Sequence, residues 1–135
     1  MNRIARYDAM CPNGHTTSLT ERTLQRIIDN LQESDRDAQQ ITFVCSHCKT
    51  AFRFDYPNRE PTEEIDEPPH SSAPFVCIVT RECDDKHCGA RLELVAVRNS
   101  DTTLEEFHTE VRDWPQMLCG KGRHSAVRFG SVTQL

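Results

Sequence analysis

The chain has 135 residues, which gives room for one ordinary domain or two very small ones and excludes a multidomain enzyme. Only 36% of the residues are hydrophobic and five are glycine, so the apolar core is expected to be thinner than is usual for a globular domain. Seven cysteines and six histidines in so short a chain indicate that disulfides or bound metal supplement this core.

The net charge of −5 is concentrated in one stretch of the sequence. Residues 57–74 carry five acidic groups and one basic group, whereas residues 1–56 carry seven of each and residues 75–135 carry eight basic and nine acidic groups. Because neither flank is basic overall, general affinity for nucleic acid is disfavoured. The sequence contains neither an apolar run near the ~18 residues of a membrane span nor a secretion signal, so we expect a cytoplasmic protein without a membrane partner.

The first half of the chain predicts one helix and two strands. Residues 18–21 fit a capping box, and apolar residues follow at helical spacing, which predicts an amphipathic helix over residues 19–34. These apolar residues are Leu24, Ile27, Ile28 and Leu31. Alternating apolar residues then predict half-buried strands at 41–45 and 52–56, on either side of a turn that carries two cysteines.

A proline-rich stretch at residues 57–74 divides the chain. It holds five prolines and five acids, and Ile65 is its one apolar side chain larger than alanine, so we expect an extended acidic linker. A solvated spacer is favoured over an acidic docking strip for a basic partner. Beyond it, strands are predicted at 75–79 and 91–97, and a helix capped by Asp101 is predicted to end at Pro115. A last short strand is expected near 126–129.

Four paired clusters of cysteine and histidine carry the chemistry of the sequence. They are Cys11 with His15, Cys45 with Cys48, Cys83 with Cys88, and Cys119 with His124. A structural zinc ion takes four such ligands in a tetrahedron, and ligands two to four residues apart in a tight turn let backbone N–H groups point at the thiolates. Six cysteines and two histidines therefore predict two Cys3His sites and two zinc ions per chain.

The spacing leaves three ways to pair these clusters. Sequential pairing, in which each half of the chain builds its own site, is favoured because it agrees with the proline-rich divide. A crossed arrangement, as in RING domains, and a nested arrangement remain open. The seventh cysteine, Cys77, lies in an apolar run and is expected to be a buried core residue rather than a ligand.

The Cys45–Cys48 turn between two alternating strands resembles the knuckle of a zinc ribbon. Each half of the chain is similar to a zinc ribbon with a helix inserted between its two knuckles. The resemblance implies an α+β fold of two zinc-ribbon-like units, at residues 1–56 and 75–135, joined by the acidic linker at 57–74. It specifies metal rather than function, since zinc-ribbon-like modules serve nucleic-acid binding, protein docking and structure alike.

The motifs favour a binding protein over an enzyme. Catalytic zinc needs an open coordination position, whereas each predicted site has four protein ligands, and the sequence contains no H-E-x-x-H, phosphate-binding loop or nucleophile motif. We therefore expect a non-catalytic zinc protein that acts as a protein-interaction adaptor or complex subunit. The alternative is a nucleic-acid-binding zinc ribbon that uses the local basic patch of Lys121, Arg123 and Arg128.

Overall fold

The computed structural model describes residues 3–31, 40–69, 73–82, 91–114, 117–118, 125–126 and 128–135. Within them the chain is an α+β protein with two helices and ten strands. The first half contains β1 (Arg3–Met10), β2 (Thr16–Thr20), α1 (Glu21–Asn30), β3 (Gln40–Val44), β4 (Ala51–Asp55), a short 3-10 turn (Tyr56–Asn58) and β5 (Glu63–Asp66). The second half contains β6 (Phe75–Glu82), β7 (Arg91–Arg98), α2 (Leu104–Arg112), β8 (Met117–Leu118), β9 (Ser125–Ala126) and β10 (Arg128–Gln134).

The largest sheet, called the central sheet below, has the strand order β10-β6-β7-β3-β4. Its strands run antiparallel except at the β3–β7 pair, which is parallel and matches Phe43 with Val95. A second sheet has the order β2-β1-β5, and β8 pairs with β9 in a short ribbon. The β6–β7 hairpin is paired over its full length, from Phe75 opposite Arg98 to Glu82 opposite Arg91.

The two faces of the central sheet carry two apolar clusters, because side chains alternate along each strand. One face packs against α1 and the second sheet. Its buried side chains include Val76, Ile78, Val95, Ile41, Phe43 and Phe54, covered by Tyr7, Leu19, Leu24, Ile27 and Ile28. The predicted apolar face of α1 is therefore buried, and Phe54 belongs to the core, with Phe52 and Tyr56 packed at its margin.

The opposite face packs against α2. Its buried residues are Val44, Phe75, Cys77, Val79, Leu94 and Ala96 of the sheet, with Phe107, Val111 and Trp114 of the helix and its end. Cys77 is completely buried, and this burial raises the pKa of its thiol to about 11. The expectation that Cys77 is a small core residue is confirmed.

Both helices begin at a residue other than the predicted one. Thr20 caps α1 by accepting a hydrogen bond from the Thr23 N–H, whereas Ser18 lies in β2 opposite Asp8. Thr103 rather than Asp101 caps α2, accepting from the Glu106 N–H. In each case the cap is the hydroxyl residue directly before the first helical residue, which is the position that reaches the unpaired N–H groups of the first turn.

The described residues do not show two separate zinc-ribbon units. Strands β3 and β7, one from each predicted unit, pair within the central sheet, and a single apolar cluster includes residues of both. The reason is that β6 and β7 are apolar on both faces, so each face needs cover from another part of the chain. The expected linker also contains β5, which pairs with β1. Among the described residues, neither helix is long and apolar enough to cross a bilayer.

Candidate metal centre

Two hairpin loops, called the metal loops below, bring four potential metal donors together. Cys11 directly follows β1 and His15 directly precedes β2, while Cys45 directly follows β3 and Cys48 lies in the turn before β4. The three sulfurs and the His15 ring nitrogen all lie within 4.8 Å of one another. The metal loops, residues 11–15 and 45–50, therefore form a Cys3His group that could hold a metal ion.

Three distances within this group are close to those of a tetrahedral zinc site. With Zn–S bonds of about 2.3 Å and a Zn–N bond of about 2.0 Å, tetrahedral angles put two sulfurs about 3.8 Å apart and a sulfur and a nitrogen about 3.5 Å apart. The Sγ atoms of Cys11 and Cys48 are 3.8 Å apart. The His15 Nδ1 lies 3.4 Å from the Cys11 Sγ and 3.6 Å from the Cys45 Sγ. These three distances are compatible with such an ion, and all four donors lie within 4.8 Å of one another.

The first metal loop turns through a glycine. The Gly14 N–H donates to the Cys11 carbonyl at 2.9 Å, and the Cys11 N–H donates to the His15 carbonyl at 2.9 Å, which closes the hairpin around Pro12, Asn13 and Gly14. Gly14 has φ +88, a left-handed conformation that L side chains rarely adopt. A three-residue hairpin loop of this kind needs such a residue at its end, so Gly14 places Cys11 and His15 side by side.

The second metal loop has a lysine, Lys49, at a position with positive φ, a conformation that glycine adopts with less strain. The N–H groups of Cys45 and Lys49 donate to the carbonyls of Thr50 and Cys45, both at 3.0 Å, and Lys49 has φ 58. The Lys49 Nζ donates to the Ser46 carbonyl at 2.5 Å and lies 3.4 Å from a carboxylate oxygen of Glu110. These two contacts fix the Lys49 side chain and tie the loop to α2.

Hydrogen bonds favour the thiolate form of Cys48, which is the form that binds metal. The Thr50 hydroxyl and the Asn13 amide, whose Nδ2 lies 3.3 Å from the sulfur, lower the pKa of the Cys48 thiol to about 5. The backbone N–H of His47 similarly donates to the Cys45 sulfur at 3.4 Å. Donor N–H groups therefore point at two of the sulfurs, as expected for zinc knuckles.

The other donors show the effects of burial and of their neighbours. Burial raises the pKa of the Cys45 thiol. At Cys11 burial also acts to raise the pKa, but hydrogen bonds from the backbone at His15 and Asn13 outweigh it and the pKa is lowered. The Cys48 and Cys11 sulfurs beside His15 raise the pKa of its imidazole. The pKa of each donor thus depends on the neighbouring donors as well as on its own burial.

The structure describes half of the predicted ligands. Cys11, His15, Cys45 and Cys48 come together in the way that sequential pairing of the clusters expects. The predicted ligands Cys83, Cys88, Cys119 and His124 lie outside the described residues, as do Lys121 and Arg123 and the side chain of Arg128. His47 is exposed and stacks on the His15 ring, with centroids 4.8 Å apart, rather than joining the donors.

Two contributions to the site were missed in the sequence. Asn13 supplies a hydrogen bond to a sulfur that belongs to the other metal loop, and its place in the Pro-Asn-Gly turn between two ligands was the available signal. The second is a chain of ionic contacts behind Lys49. Glu110 accepts from the Arg98 guanidinium at 2.7 and 2.9 Å and from the Trp114 indole at 2.8 Å, and Arg98 also donates to the Val44 carbonyl.

Comparison of the chain with protein-family models, with curated proteins and with solved structures finds no match.

Proposed function

We propose that the Cys11–His15–Cys45–Cys48 group is a structural zinc site, and that the protein is a non-catalytic, zinc-stabilised module for binding other proteins. The observation that carries the zinc assignment is the spacing of the four donor atoms, all within 4.8 Å of one another. Three thiols and one imidazole are the donor types that zinc prefers, whereas iron–sulfur clusters are usually held by cysteines alone.

The donor set supports a structural role for the metal. Four protein ligands complete the tetrahedral coordination of zinc, so no position is left for a substrate or an activated water. The ligands also come from two hairpins that belong to different sheets, β1–β2 and β3–β4. A shared ion would fasten these sheets together, which is the task of zinc in small domains with thin cores.

A second zinc site remains part of the proposal. It would use Cys83, Cys88, Cys119 and His124, whose spacing mirrors that of the first four donors. The purified full-length chain should then carry about two zinc ions by elemental analysis. Cys48→Ser should reduce this content by about one ion, because serine replaces a thiolate ligand, while the matched change Cys77→Ala in the core should keep both. One zinc in the native chain would reject the second site, and an unchanged content in Cys48→Ser would reject the first.

The interaction role is supported by charge. With a net charge of −5, the chain lacks the overall positive field that draws proteins to phosphate backbones. Affinity capture with the zinc-loaded chain, using Cys48→Ser as the control bait, should recover a specific protein partner only with the native bait. The nucleic-acid alternative predicts instead sub-micromolar binding to DNA or RNA that weakens steeply with salt and is abolished by Lys121→Glu together with Arg123→Glu.

A further inference from the structure

The acidic stretch between the two halves lies on the protein surface as an added strand. Strand β5 pairs with β1 so that Asp66 lies opposite Arg3 and Glu63 lies opposite Arg6. Thr62 extends the contact, since its N–H donates to the Arg6 carbonyl at 2.7 Å and its hydroxyl oxygen accepts from the Asp8 N–H at 3.1 Å. The stretch thus occupies the edge of β1 that β2 leaves open, called the β1 edge below.

The acids of this stretch pair with arginines of β1 and α1. An oxygen of Asp66 lies 3.2 Å from a guanidinium nitrogen of Arg3, and an oxygen of Glu63 lies 3.0 Å from one of Arg6. Glu67, just past the strand, pairs with Arg22 of α1. Arg3 also donates to the Glu64 carbonyl at 2.8 Å. Ion pairs and backbone hydrogen bonds therefore hold the same short segment, residues 62–67, against β1 and α1.

Little apolar burial holds this segment in place. The paired acids Asp66 and Glu63 are exposed, to 57% and 54% of their side chains, whereas Glu67 is half-buried. Exposed ion pairs contribute little to stability and are screened by salt. Ile65 is its one large apolar side chain and is only half-buried. A four-residue strand held in this way can be exchanged for another strand of the same chemistry.

We propose that the β1 edge, with Arg3, Arg6 and Arg22, is a docking site for an acidic, extended peptide of a partner protein, and that residues 60–69 are its built-in competitor. Adding a strand to an open sheet edge is a common mode of peptide recognition, in which main-chain hydrogen bonds give affinity and side chains give selectivity. The proposal names the class of partner for the interaction function above and rests on that function.

The surroundings of the edge favour a peptide with spaced acids over a nucleic acid. Asp8 lies 3.8 Å from Arg6, and Glu21 lies beside Arg22 at the start of α1, so the surface alternates in charge rather than being uniformly positive. A continuous polyanion would meet these acids, whereas a peptide can place its carboxylates at the arginines alone. A cavity of about 600 Å³, lined by Arg22, Arg26, Tyr56 and Glu67 among others, gives room for residues that follow the docked strand.

The test measures binding of a peptide in trans to the full-length chain. The probe is a fluorescein-labelled peptide with the sequence of residues 60–69, followed by fluorescence anisotropy at 50 mM salt, and the control peptide has its five acids changed to amides. In one variant of the chain, residues 60–69 are replaced by a glycine–serine segment of equal length. A milder variant combines Glu63→Gln, Asp66→Asn and Glu67→Gln. Its matched control carries Glu105→Gln, Glu106→Gln and Asp113→Asn, three exposed acids at α2.

The replaced-segment variant should bind the acidic peptide at least ~10-fold more tightly than the native chain, because a tethered competitor acts at an effective concentration in the millimolar range. The triple-amide variant should bind the acidic peptide at least ~3-fold more tightly than the native chain does, and its α2 control should bind it no more tightly than the native chain. The amide peptide should bind at least ~10-fold more weakly than the acidic peptide. Equal affinity for the two peptides would overturn the proposal. It would also be overturned if Arg3→Ser with Arg22→Ser, introduced into the replaced-segment variant, left the affinity for the acidic peptide unchanged.

Two further measurements control for misfolding and for binding of nucleic acid. Near-ultraviolet circular dichroism and zinc content check that the variants fold, and where the replaced-segment variant does not fold, the triple-amide variant decides. Tighter binding of a single-stranded oligonucleotide than of the peptide would overturn the peptide assignment in favour of a nucleic-acid surface. Recovery of a protein partner by affinity capture, without peptide binding, would reject the docking site while leaving the interaction function in place.

Discussion

The central sheet and the metal loops are two regions of the molecule with different sources of order. In the central sheet, residues such as Val79, Leu94 and Val95 are completely buried and packed from both faces. In the metal loops, Cys11 and Cys45 are buried, but His15 and Cys48 are only half-buried and Met10 beside them is 63% exposed. The contrast shows that apolar packing orders the strands that are covered on both faces. The potential metal donors lie in loops where this cover is incomplete.

The largest expected effect comes from separating the two regions. A fragment of residues 1–58 contains both metal loops but lacks β6 and β7, which complete the central sheet and its core. We expect it to show no cooperative unfolding even with excess zinc, because the apolar face of β3 and α1 loses its cover. Thermal unfolding followed by circular dichroism measures this. A fragment that unfolds cooperatively with one zinc bound would show that β6 and β7 are not needed for its folding, and would support the predicted two-unit organisation.

A smaller loss of stability is expected from a substitution in the apolar core between the central sheet and α2. Phe107 is 1% exposed and packs against Phe75 and Trp114, with ring centroids 5.5 and 5.8 Å away. Phe107→Ala should lower the free energy of unfolding by about 3–5 kcal/mol, because it removes buried area and leaves a cavity. Urea denaturation measures the change, and Leu104→Ala at an exposed position of the same helix should cost less than about 1 kcal/mol. Loss of zinc from Phe107→Ala would show that the regions are not energetically separate.

The smallest effect concerns Glu110, which joins the two regions through Lys49 and Arg98. Burial acts to raise the pKa of the Glu110 carboxyl, but the hydrogen bonds and charge of Arg98 outweigh it, so the pKa is lowered in the folded chain. The unfolded state therefore binds this proton first as pH falls, and the stabilisation is complete above about pH 4.5 and lost as pH falls through the lower folded value.

Glu110→Gln should cost about 1–3 kcal/mol at pH 7, since it leaves the 8% exposed Arg98 without its charged partner. The cost should shrink at pH 3.5, below the ordinary pKa of the carboxyl, because the unfolded chain then binds the proton that folded Glu110 resists. Urea denaturation at both pH values measures the difference, with the exposed change Glu106→Gln as control. A cost that is the same at the two pH values would mean that the ion pair does not carry the effect.

Local patterns in the sequence were enough to predict part of this architecture. The helical spacing of Leu24 and Ile27 and the alternation around Phe43 and Phe54 depend on neighbouring residues, and each appears in the structure close to its predicted place. The same holds for two of the four predicted ligand pairs, Cys11 with His15 and Cys45 with Cys48. The group of Cys11, His15, Cys45 and Cys48 could be predicted from the sequence because its members lie in the loops of two locally formed hairpins. The helix caps were displaced by only two residues.

Contacts between distant segments could not be predicted in this way. Strand β1 alternates Ala5, Tyr7 and Ala9 inward, but alanine has little preference for strands, so the pattern was weak. Strand β5 has the sequence EEID and is a strand because β1 pairs with it, not because of its own propensity. The parallel pairing of β3 with β7 leaves no local signature, and it places one strand from each expected unit side by side in the central sheet.

This parallel pairing also sets an order of assembly. All four donors of the metal loops lie within the first 48 residues, whereas β3 meets β7 only across some fifty residues of intervening chain, and β6 meets β10 at residues 128–134. Closing long segments costs entropy and slows folding, so the sheet is expected to form late. Zinc present from the start of refolding should therefore give a faster rise in Trp114 fluorescence than zinc added afterwards, because the ion can be captured by a chain whose sheet is still incomplete.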